Sequence, residues 1–376
     1  MKILWFLDKE FDVALNVSAR LATLKYLEKN NRVHVVTTFR KEKRKYEDFS
    51  AQVTYLDKIN LPFLKTLYLF YQHLRFVKGL DEIETIDVVF INSSNPWLLK
   101  KLIKLRNENN FKLVLDIRTL PVDQNYLKKK LNNYFFRKSL KIAASHFDGI
   151  TYITEEMREY CEEMFSIPPH QCSVWSSGVD IDIFKPSHSA ESRTTFRLMY
   201  HGKFAHKRGI HNIVKAMRIL NDPDIELFLL GSSEEMEELR KLVNQLRLED
   251  RVFFNQTVPY EEVPDFINRV DAGVLPFPEW PAWNTSSPIK LFEYLACGKP
   301  VIVTKIPAHT SVLNGKDFAF WAKTSSSEDI ARAISEAKSQ KNNLRKIEEE
   351  TRDFVEMNYS WEKQLSKLEI FLRSLQ

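Results

Sequence analysis

Two cationic clusters in this chain carry the residue types that hold phosphate. The first follows the apolar run "RLMYHG", which ends at Gly202. It reads "KFAHKRG", so Lys203, Lys207 and Arg208 place three cations within six residues. A glycine at the carboxyl end of a strand lets a ligand approach the backbone, and the free N–H groups of a following helix favour an anion. A solvated basic loop is the alternative. Neither GxxxxGK[ST] nor GxGxxG occurs, so this is not one of the common nucleotide-binding loops.

The second cluster is "WNTSSPIKLFEYLACGKPVIVT", Trp283 to Thr304. Ser286 or Ser287 is expected to cap a short helix, with Pro288 in its first turn. Lys290 then lies near the helix N-terminus, where the dipole disfavours a cation unless an anionic ligand offsets it. Glu293, three residues on, shares its face. A surface Lys–Glu pair, worth about a few tenths of a kcal/mol, accounts for the spacing equally well.

The surrounding pattern must position these groups. "ILWFL", "VHVVTT", "VVFIN", "KLVLDI" and "GITYIT" read as strands of a parallel sheet buried on both faces. Helical segments at 14–28, 97–106 and 126–145 alternate with them, as in an open doubly wound domain. Pro186 and the serines between Lys185 and Thr195 mark a linker. A second βα series follows: "RLMYHG", "ELFLLG", "RVFFN", "AGVLPF", "PVIVT" and "FAFWA" as strands, and 210–220, 234–246, 261–268 and 289–296 as helices. Two such domains are expected to face a central cleft, because open α/β sheets bind ligands at the carboxyl ends of their strands.

The length of 376 residues suits two domains, each with its own core. Hydrophobic content of 44%, charged content of 28% and a net charge of +5 are those of an ordinary soluble protein, and do not argue for nucleic acid. Cys161, Cys172 and Cys297 form no CxxC pair, which fits a reducing compartment. The opening "MKILWFLDKE" does not read as a signal peptide, and no stretch reaches the roughly 18 apolar residues of a spanning helix. A cytoplasmic location is expected.

"SSPIKLFEYLACGKPVIVT" resembles the donor-binding motif of glycosyltransferase family 4, the retaining GT-B enzymes. "HGKFAHKRGIHNIVKAMRIL", the stretch from "ELFLLGSSEEMEELRK" to "DAGVLPF", "FDGITYITEEMREYC", "SSGVDIDIFKP" and "VLDIRTLP" are similar to other parts of that family, in order, over nearly the whole chain. "NYSWEKQLSKLEIFL" resembles its last helix, which crosses back to the first domain. The resemblance implies two Rossmann-like domains facing a cleft. It places an acceptor-binding domain at 1–185, a nucleotide-sugar-binding domain at 186–358 and the returning helix at 359–376.

It also implies roles. The family's pyrophosphate clamp, an Arg and a Lys five apart, falls on Lys203 and Arg208, with the types exchanged; both can stabilise charge on a leaving phosphate. Gly202, Lys207, Thr285, Ser286, Ser287, Lys290 and Leu291 fall on donor-contact positions. Glu293 matches the carboxylate that holds the nucleotide ribose, to which it can offer two acceptors. Asp116 and Arg118 fall where the family places polar groups near the donor sugar and acceptor, although Arg118 could instead pair with Asp116 or Asp123 and fix the loop. The departure is Thr285, eight residues before Glu293, where the family commonly has a second Glu. A threonine cannot form the glycosyl ester of a two-carboxylate mechanism, so the implied chemistry is front-face transfer. The glycine-rich loop of many members is absent after the first strand, leaving Asn16, Ser18 or Arg20 as cleft-facing candidates.

Other motifs are set aside. Asp180 and Asp182 spell DxD within a turn and read as structural. His201, His206 and His211 are five apart, off any single helical face, so no metal or other cofactor is expected. His201 either lines the cleft or packs. Trp280 and Trp283 either stack on a ligand or anchor their loop. From Asn125 to Lys141 there are six cations and no acid, interleaved with Leu127, Leu131, Tyr134, Phe135 and Phe136. The segment from Leu61 to Leu80 is apolar, aromatic and free of acids. Both suit peripheral contact with an anionic membrane or a lipid-linked acceptor, or else a solvated face and a core helix.

The functional expectation is a retaining hexosyltransferase, using a UDP- or GDP-sugar to extend a glycan or lipid-linked acceptor in surface polysaccharide synthesis. A non-catalytic sugar-nucleotide or glycan-binding partner subunit is the alternative, motivated by Thr285. A GT-B epimerase would need cleft acids that the sequence does not point to.

Overall fold

The computed structural model describes residues 1–7, 17–38, 50–57, 64–79, 85–92, 95–121, 126–187 and 194–376. It divides into two compact units. Met1–Ser176 with Gln364–Gln376 form one, and Ser177–Lys363 the other.

The first unit runs β1 (Lys2–Leu7), α1 (Val17–Leu27), β2 (Arg32–Thr38), β3 (Gln52–Leu56), α2 (Leu64–Lys78), β4 (Val88–Asn92), α3 (Pro96–Asn109), β5 (Lys112–Ile117), α4 (Tyr126–His146), β6 (Gly149–Tyr152), α5 (Glu155–Phe165) and β7 (Cys172–Val174). The sheet order is β3-β2-β1-β4-β5-β6-β7, with every pairing parallel. The central strands are continuous apolar runs because helices cover both faces; Phe6, Phe90, Leu113 and Leu115 are fully buried. α3 starts where the Asn95 side chain accepts from the N–H groups of Trp97 and Leu98, with Pro96 in the first turn, and ends at left-handed Asn110. The edge strands β3 and β7 are not among the strands expected from sequence. Both are short and half-exposed, so they lack the apolar run that marks the others.

The second unit runs β8 (Phe196–His201), α6 (Ile210–Leu220), β9 (Ile225–Leu230), α7 (Met236–Gln245), β10 (Val252–Asn255), α8 (Val263–Asn268), β11 (Ala272–Leu275), α9 (Pro281–Asn284), α10 (Ile289–Ala296), β12 (Val301–Thr304), α11 (Pro307–Leu313), β13 (Ala319–Ala322), α12 (Ser327–Ser339) and α13 (Leu344–Asn358). The final helix, α14 (Trp361–Ser374), begins here; from Gln364 onward it belongs to the first unit. There the Phe371 ring covers Gly149 so closely that a Cβ would approach it to 2.5 Å, and Gln364 accepts from the Ser176 N–H at 2.8 Å.

This sheet has the order β10-β9-β8-β11-β12-β13, all parallel, and its strands are the six read from sequence. The order reverses between β8 and β11, and ligands of such sheets bind outside the carboxyl ends at that point.

Linker composition put the domain boundary after residue 185. By contacts the second unit begins at Ser177, because Val179 bridges Ser360 and Phe184 is buried in the second core. Likewise this unit extends to Lys363 rather than ending at 358. Among the described residues no helix is long and apolar enough to cross a membrane.

Candidate functional site

The carboxyl end of β8 is fastened to α10 by Tyr294. Its hydroxyl donates to the carbonyl of Met199 at 3.0 Å and accepts from the N–H of His201 at 3.1 Å. Gly273 makes room for its ring, since a Cβ there would lie 2.3 Å from it. This fastening brings Lys290, one turn earlier on α10, to the end of β8. The Lys290 Nζ donates to the carbonyl of His201 and lies 3.9 Å from the centroid of the Tyr200 ring. Gly202, at φ +107, turns the chain beside it; a Cβ at Gly202 would meet Lys290 Nζ at 3.0 Å. Lys290 is buried, and burial followed by repulsion from Arg208 pushes its ammonium well below the ordinary lysine range.

The loop after Gly202 is built around Tyr200. Its hydroxyl donates to the Lys203 carbonyl at 3.2 Å, and the positive charge of Arg208 lies near enough to oppose the rise that burial gives its pKa. The Arg208 guanidinium also lies 5.0 Å from the Trp283 ring centroid. Gly209, at φ +76, packs on the end of β11, where a Cβ would come within 2.1 Å of the Pro276 carbonyl oxygen. The turn His206–Arg208 is thereby held across the switch point between β8 and β11. Lys203 is exposed, while Lys207 and Arg208 are half-buried. Sequence reasoning missed Tyr200. A tyrosine within an apolar strand reads as core, and nothing in the spacing reveals that its hydroxyl organises two cationic segments.

Glu293 is buried, and burial raises its carboxyl to about 7 against the lowering influence of Lys290. His201 Nε2 lies 3.2 Å from Glu293 Oε2 but without hydrogen-bond alignment, so the nitrogen stays unmet. Burial, then Lys290, holds that imidazole well below the usual histidine range, hence neutral. Lys290 and Glu293 are therefore not a solvated surface pair.

The residues upstream differ from expectation in one respect. Neither serine caps α10: the cap position is Pro288, with no side-chain hydrogen bond. Ser286 donates to the Trp283 carbonyl at 2.8 Å within the loop, and Ser287 accepts from the distant Ser177 N–H at 3.1 Å, so both hydroxyls meet backbone groups outside the helix. Thr285 is buried and donates to the Pro281 carbonyl at 2.8 Å. Leu291 points into the core, with its N–H on the Pro288 carbonyl. Trp283 stacks on Phe277, with ring centroids 4.9 Å apart, and its indole N–H donates to the Lys207 carbonyl at 2.7 Å. It anchors the loop, whereas Trp280 is exposed.

In the first unit, Asp116 joins four strand ends. Its Oδ2 accepts from Asn92 Nδ2 at 2.5 Å, and its Oδ1 from Thr151 Oγ1 at 2.6 Å and Trp175 Nε1 at 3.2 Å. Burial pushes this carboxyl up, while Arg118 and the three donors oppose the shift. Arg118 does not close a salt bridge onto Asp116. Its guanidinium stacks 3.7 Å from the Trp175 ring centroid and donates to the Trp175 carbonyl at 2.6 Å. Asp116 thus positions Trp175, and Trp175 positions Arg118. Arg20 is half-buried on α1; Asn16, the Ser18 side chain and Asp123 lie outside the described residues.

Asp180 of the DxD accepts from the N–H groups of Asp182 and Ile183, as a turn residue does. The histidine spacing gives a different result. His206 lies in the turn and His211 at the start of α6, so helical periodicity does not apply across them; their rings stack at 3.4 Å.

Two doubly wound units, with a cationic turn at the switch point of the second, define the GT-B class of glycosyltransferase folds. The family description "Glycosyltransferase Family 4" matches residues 19–183, and "Glycosyl transferases group 1" matches residues 183–354. The chain belongs to this family. It is 22% identical over 200 residues to the O-antigen chain mannosyltransferase RfbU of Salmonella typhimurium, covering 53% of each chain. The chain spans about half the length, or less, of the curated relatives it matches. Among solved structures it resembles sucrose-phosphate synthase from Thermosynechococcus elongatus, with a TM-score of 0.78 at 17% identity, covering 100% of this chain and 98% of that one. It also resembles Anabaena HepE in complex with UDP-glucose, with a TM-score of 0.76 at 16% identity over 100% of both chains. At these identities the structural likeness speaks for the fold.

Proposed function

We propose that the chain is a retaining, metal-independent glycosyltransferase that moves a hexosyl unit from a UDP- or GDP-sugar to a glycan or lipid-linked acceptor in surface polysaccharide synthesis. The observation that carries this reading is the convergence of Lys290 and Arg208 on Tyr200 at the end of β8. Lys290 over the buried Tyr200 ring, with Arg208 near enough to repel it, at the switch point of a doubly wound sheet, suits a pyrophosphate. An anion there offsets the burial and the repulsion that depress Lys290. In this reading Lys203 and Arg208 stabilise the departing phosphate, Lys290 holds its near oxygens, and Glu293 accepts from the ribose hydroxyls. The complex of HepE with UDP-glucose and the likeness to the O-antigen chain mannosyltransferase RfbU support the donor and acceptor classes.

Thr285 brings no carboxylate, and its hydroxyl is committed to Pro281. Transfer then proceeds on the donor's front face, where the leaving phosphate oxygen takes the acceptor proton. The same observation favours a second reading, a non-catalytic sugar-nucleotide or glycan-binding subunit. Incubating the pure chain with UDP- and GDP-hexoses and following nucleotide release separates the two. Release that falls at least tenfold in Lys203→Ala and in Arg208→Ala supports transfer. Wild-type rates in both variants overturn the phosphate role, and binding without any release favours the subunit.

A membrane surface is the second partner in this proposal. On α4, Leu127, Leu131 and Tyr134 are exposed at helical spacing among Lys128, Lys129, Lys130, Arg137 and Lys138. That pairing of apolar and basic groups suits an anionic bilayer carrying a lipid-linked acceptor.

A further inference from the structure

Three groups that ligate metals meet on the second unit, beside the turn that carries Lys207 and Arg208. Ring nitrogens of His206 and His211 and a carboxylate oxygen of Glu238 lie within 4.8 Å of one another. His206 belongs to the turn, His211 to the first turn of α6 and Glu238 to α7. The two imidazoles stack at 3.4 Å with 5° between their planes, presenting their edges to the same carboxylate. Glu238 Oε1 is 2.8 Å from His206 Nε2 and 3.9 Å from His211 Nε2.

His211 is buried, and neither of its ring nitrogens has a hydrogen-bond partner. A buried imidazole with both nitrogens unmet is unusual, and an unplaced ion is one physical remedy. The spacing fits one. Two ligands each about 2 Å from a tetrahedral metal stand about 3.3 Å apart. The separations of 2.8 and 3.9 Å straddle that edge, and rotation of the exposed His206 ring out of the stack lets both imidazoles meet one ion in their own planes.

We propose that His206, His211 and Glu238 form a site for one divalent transition-metal ion of the zinc class. Two imidazoles and one carboxylate favour such an ion over magnesium or calcium, which prefer all-oxygen shells. The fourth position is open to water. Glu235, which already accepts from the His206 N–H at 2.7 Å, holds the turn against α7 from the other side. An ion at this site ties the cationic turn to α7 and stiffens it. It takes no part in the transfer chemistry proposed above, so the two proposals stand or fall separately.

The test uses the full chain without a histidine tag, stripped by chelator, then titrated with Zn²⁺ and with Mg²⁺ as control. One Zn²⁺ per chain is expected, with affinity at least tenfold lower in His206→Ala and in Glu238→Gln. Both side chains are exposed, so the metal-free variants should melt where the metal-free parent does. Co²⁺ in the same site should give visible absorption bands that both variants lose. Equal zinc affinity in parent and variants overturns the proposal, as does the absence of stoichiometric binding. So does binding lost in Cys172→Ser but kept in His206→Ala, which would place the ion instead among Glu162, His170 and Cys172.

Discussion

The Lys290 ammonium sits 3.9 Å from the centroid of the Tyr200 ring, and the hydroxyl of the same tyrosine donates to the Lys203 carbonyl at 3.2 Å. One buried side chain therefore sets the positions of both cationic segments. Tyr200→Phe keeps the ring and its cation–π contact but frees the Lys203 carbonyl and with it the loop that leads to Arg208. The expected result is a stability loss of about 1–2 kcal/mol, the size of a buried hydrogen bond, with UDP or GDP affinity at least tenfold weaker by calorimetric titration. Unchanged nucleotide affinity would remove Tyr200 from the site.

Lys290 presents the opposite balance. Its charge is buried beside another cation, a cost that Lys290→Met relieves while the unbranched chain still covers Tyr200. The variant should be as stable as the parent, or more stable by about 1–3 kcal/mol in urea. It should bind nucleotide at least tenfold more weakly. A loss of both properties would make Lys290 a structural lysine.

Two glycines of this loop differ in what an added methyl meets. At Gly202 it meets the mobile tip of Lys290 at 3.0 Å, and at Gly209 it meets the Pro276 backbone oxygen at 2.1 Å. Both positions also carry positive φ, which costs about 1–2 kcal/mol for alanine. Gly209→Ala should therefore lower the melting midpoint more than Gly202→Ala, which should lose only the cost of its positive φ while disturbing nucleotide binding. The reverse order of stabilities would contradict this account of the loop.

The raised carboxyl of Glu293 makes stability depend on pH. Its folded value of about 7 lies above the unfolded 4.5, so the native state holds the proton more tightly. Below pH 4.5 the group is protonated in both states and its contribution is complete. As pH rises from 4.5 through 7 that contribution is lost, by about 3 kcal/mol in all. Glu293→Gln should flatten this part of the curve, and subtracting the variant's curve removes the separate titration of Lys290. If the ionised carboxylate holds ribose, nucleotide affinity should rise through pH 7 in the parent and stay level in the variant. A parent curve already level between pH 4.5 and 7 would refute the shift.

Much of this architecture was legible because a parallel sheet covered on both faces writes its strands as apolar runs. All six strands of the second sheet and the bounds of α6 and α10 could be read directly. Edge strands β3 and β7 could not, since half-exposed residues lose that signature. The cations at 203, 207, 208 and 290 stood out by type, but the approach of Lys290 and Arg208 to each other did not. It depends on Tyr200 and Tyr294, whose hydroxyls act from inside the core. Ser286 and Ser287 looked like helix caps because composition favours them there, yet the loop turns both hydroxyls to backbone partners. His206 and His211 were separated by a helical period that does not run through the turn between them.

The proposed membrane contact rests on α4. Leu127, Leu131 and Tyr134 are exposed at i, i+4 and i+7, so they share one face, and Lys138 lies 5.6 Å from the Tyr134 ring centroid on that face. Burying two leucines and a tyrosine at a lipid interface gains apolar area, and each lysine near an anionic surface adds about 1 kcal/mol. The chain should float with vesicles containing anionic lipid at low salt and detach as ionic strength rises. Leu127→Asp with Leu131→Asp should abolish flotation while leaving the melting midpoint within about 1 °C, because surface changes alter stability little. Flotation that survives the double substitution would assign the contact to another surface; no flotation of the parent would remove the membrane from the proposal.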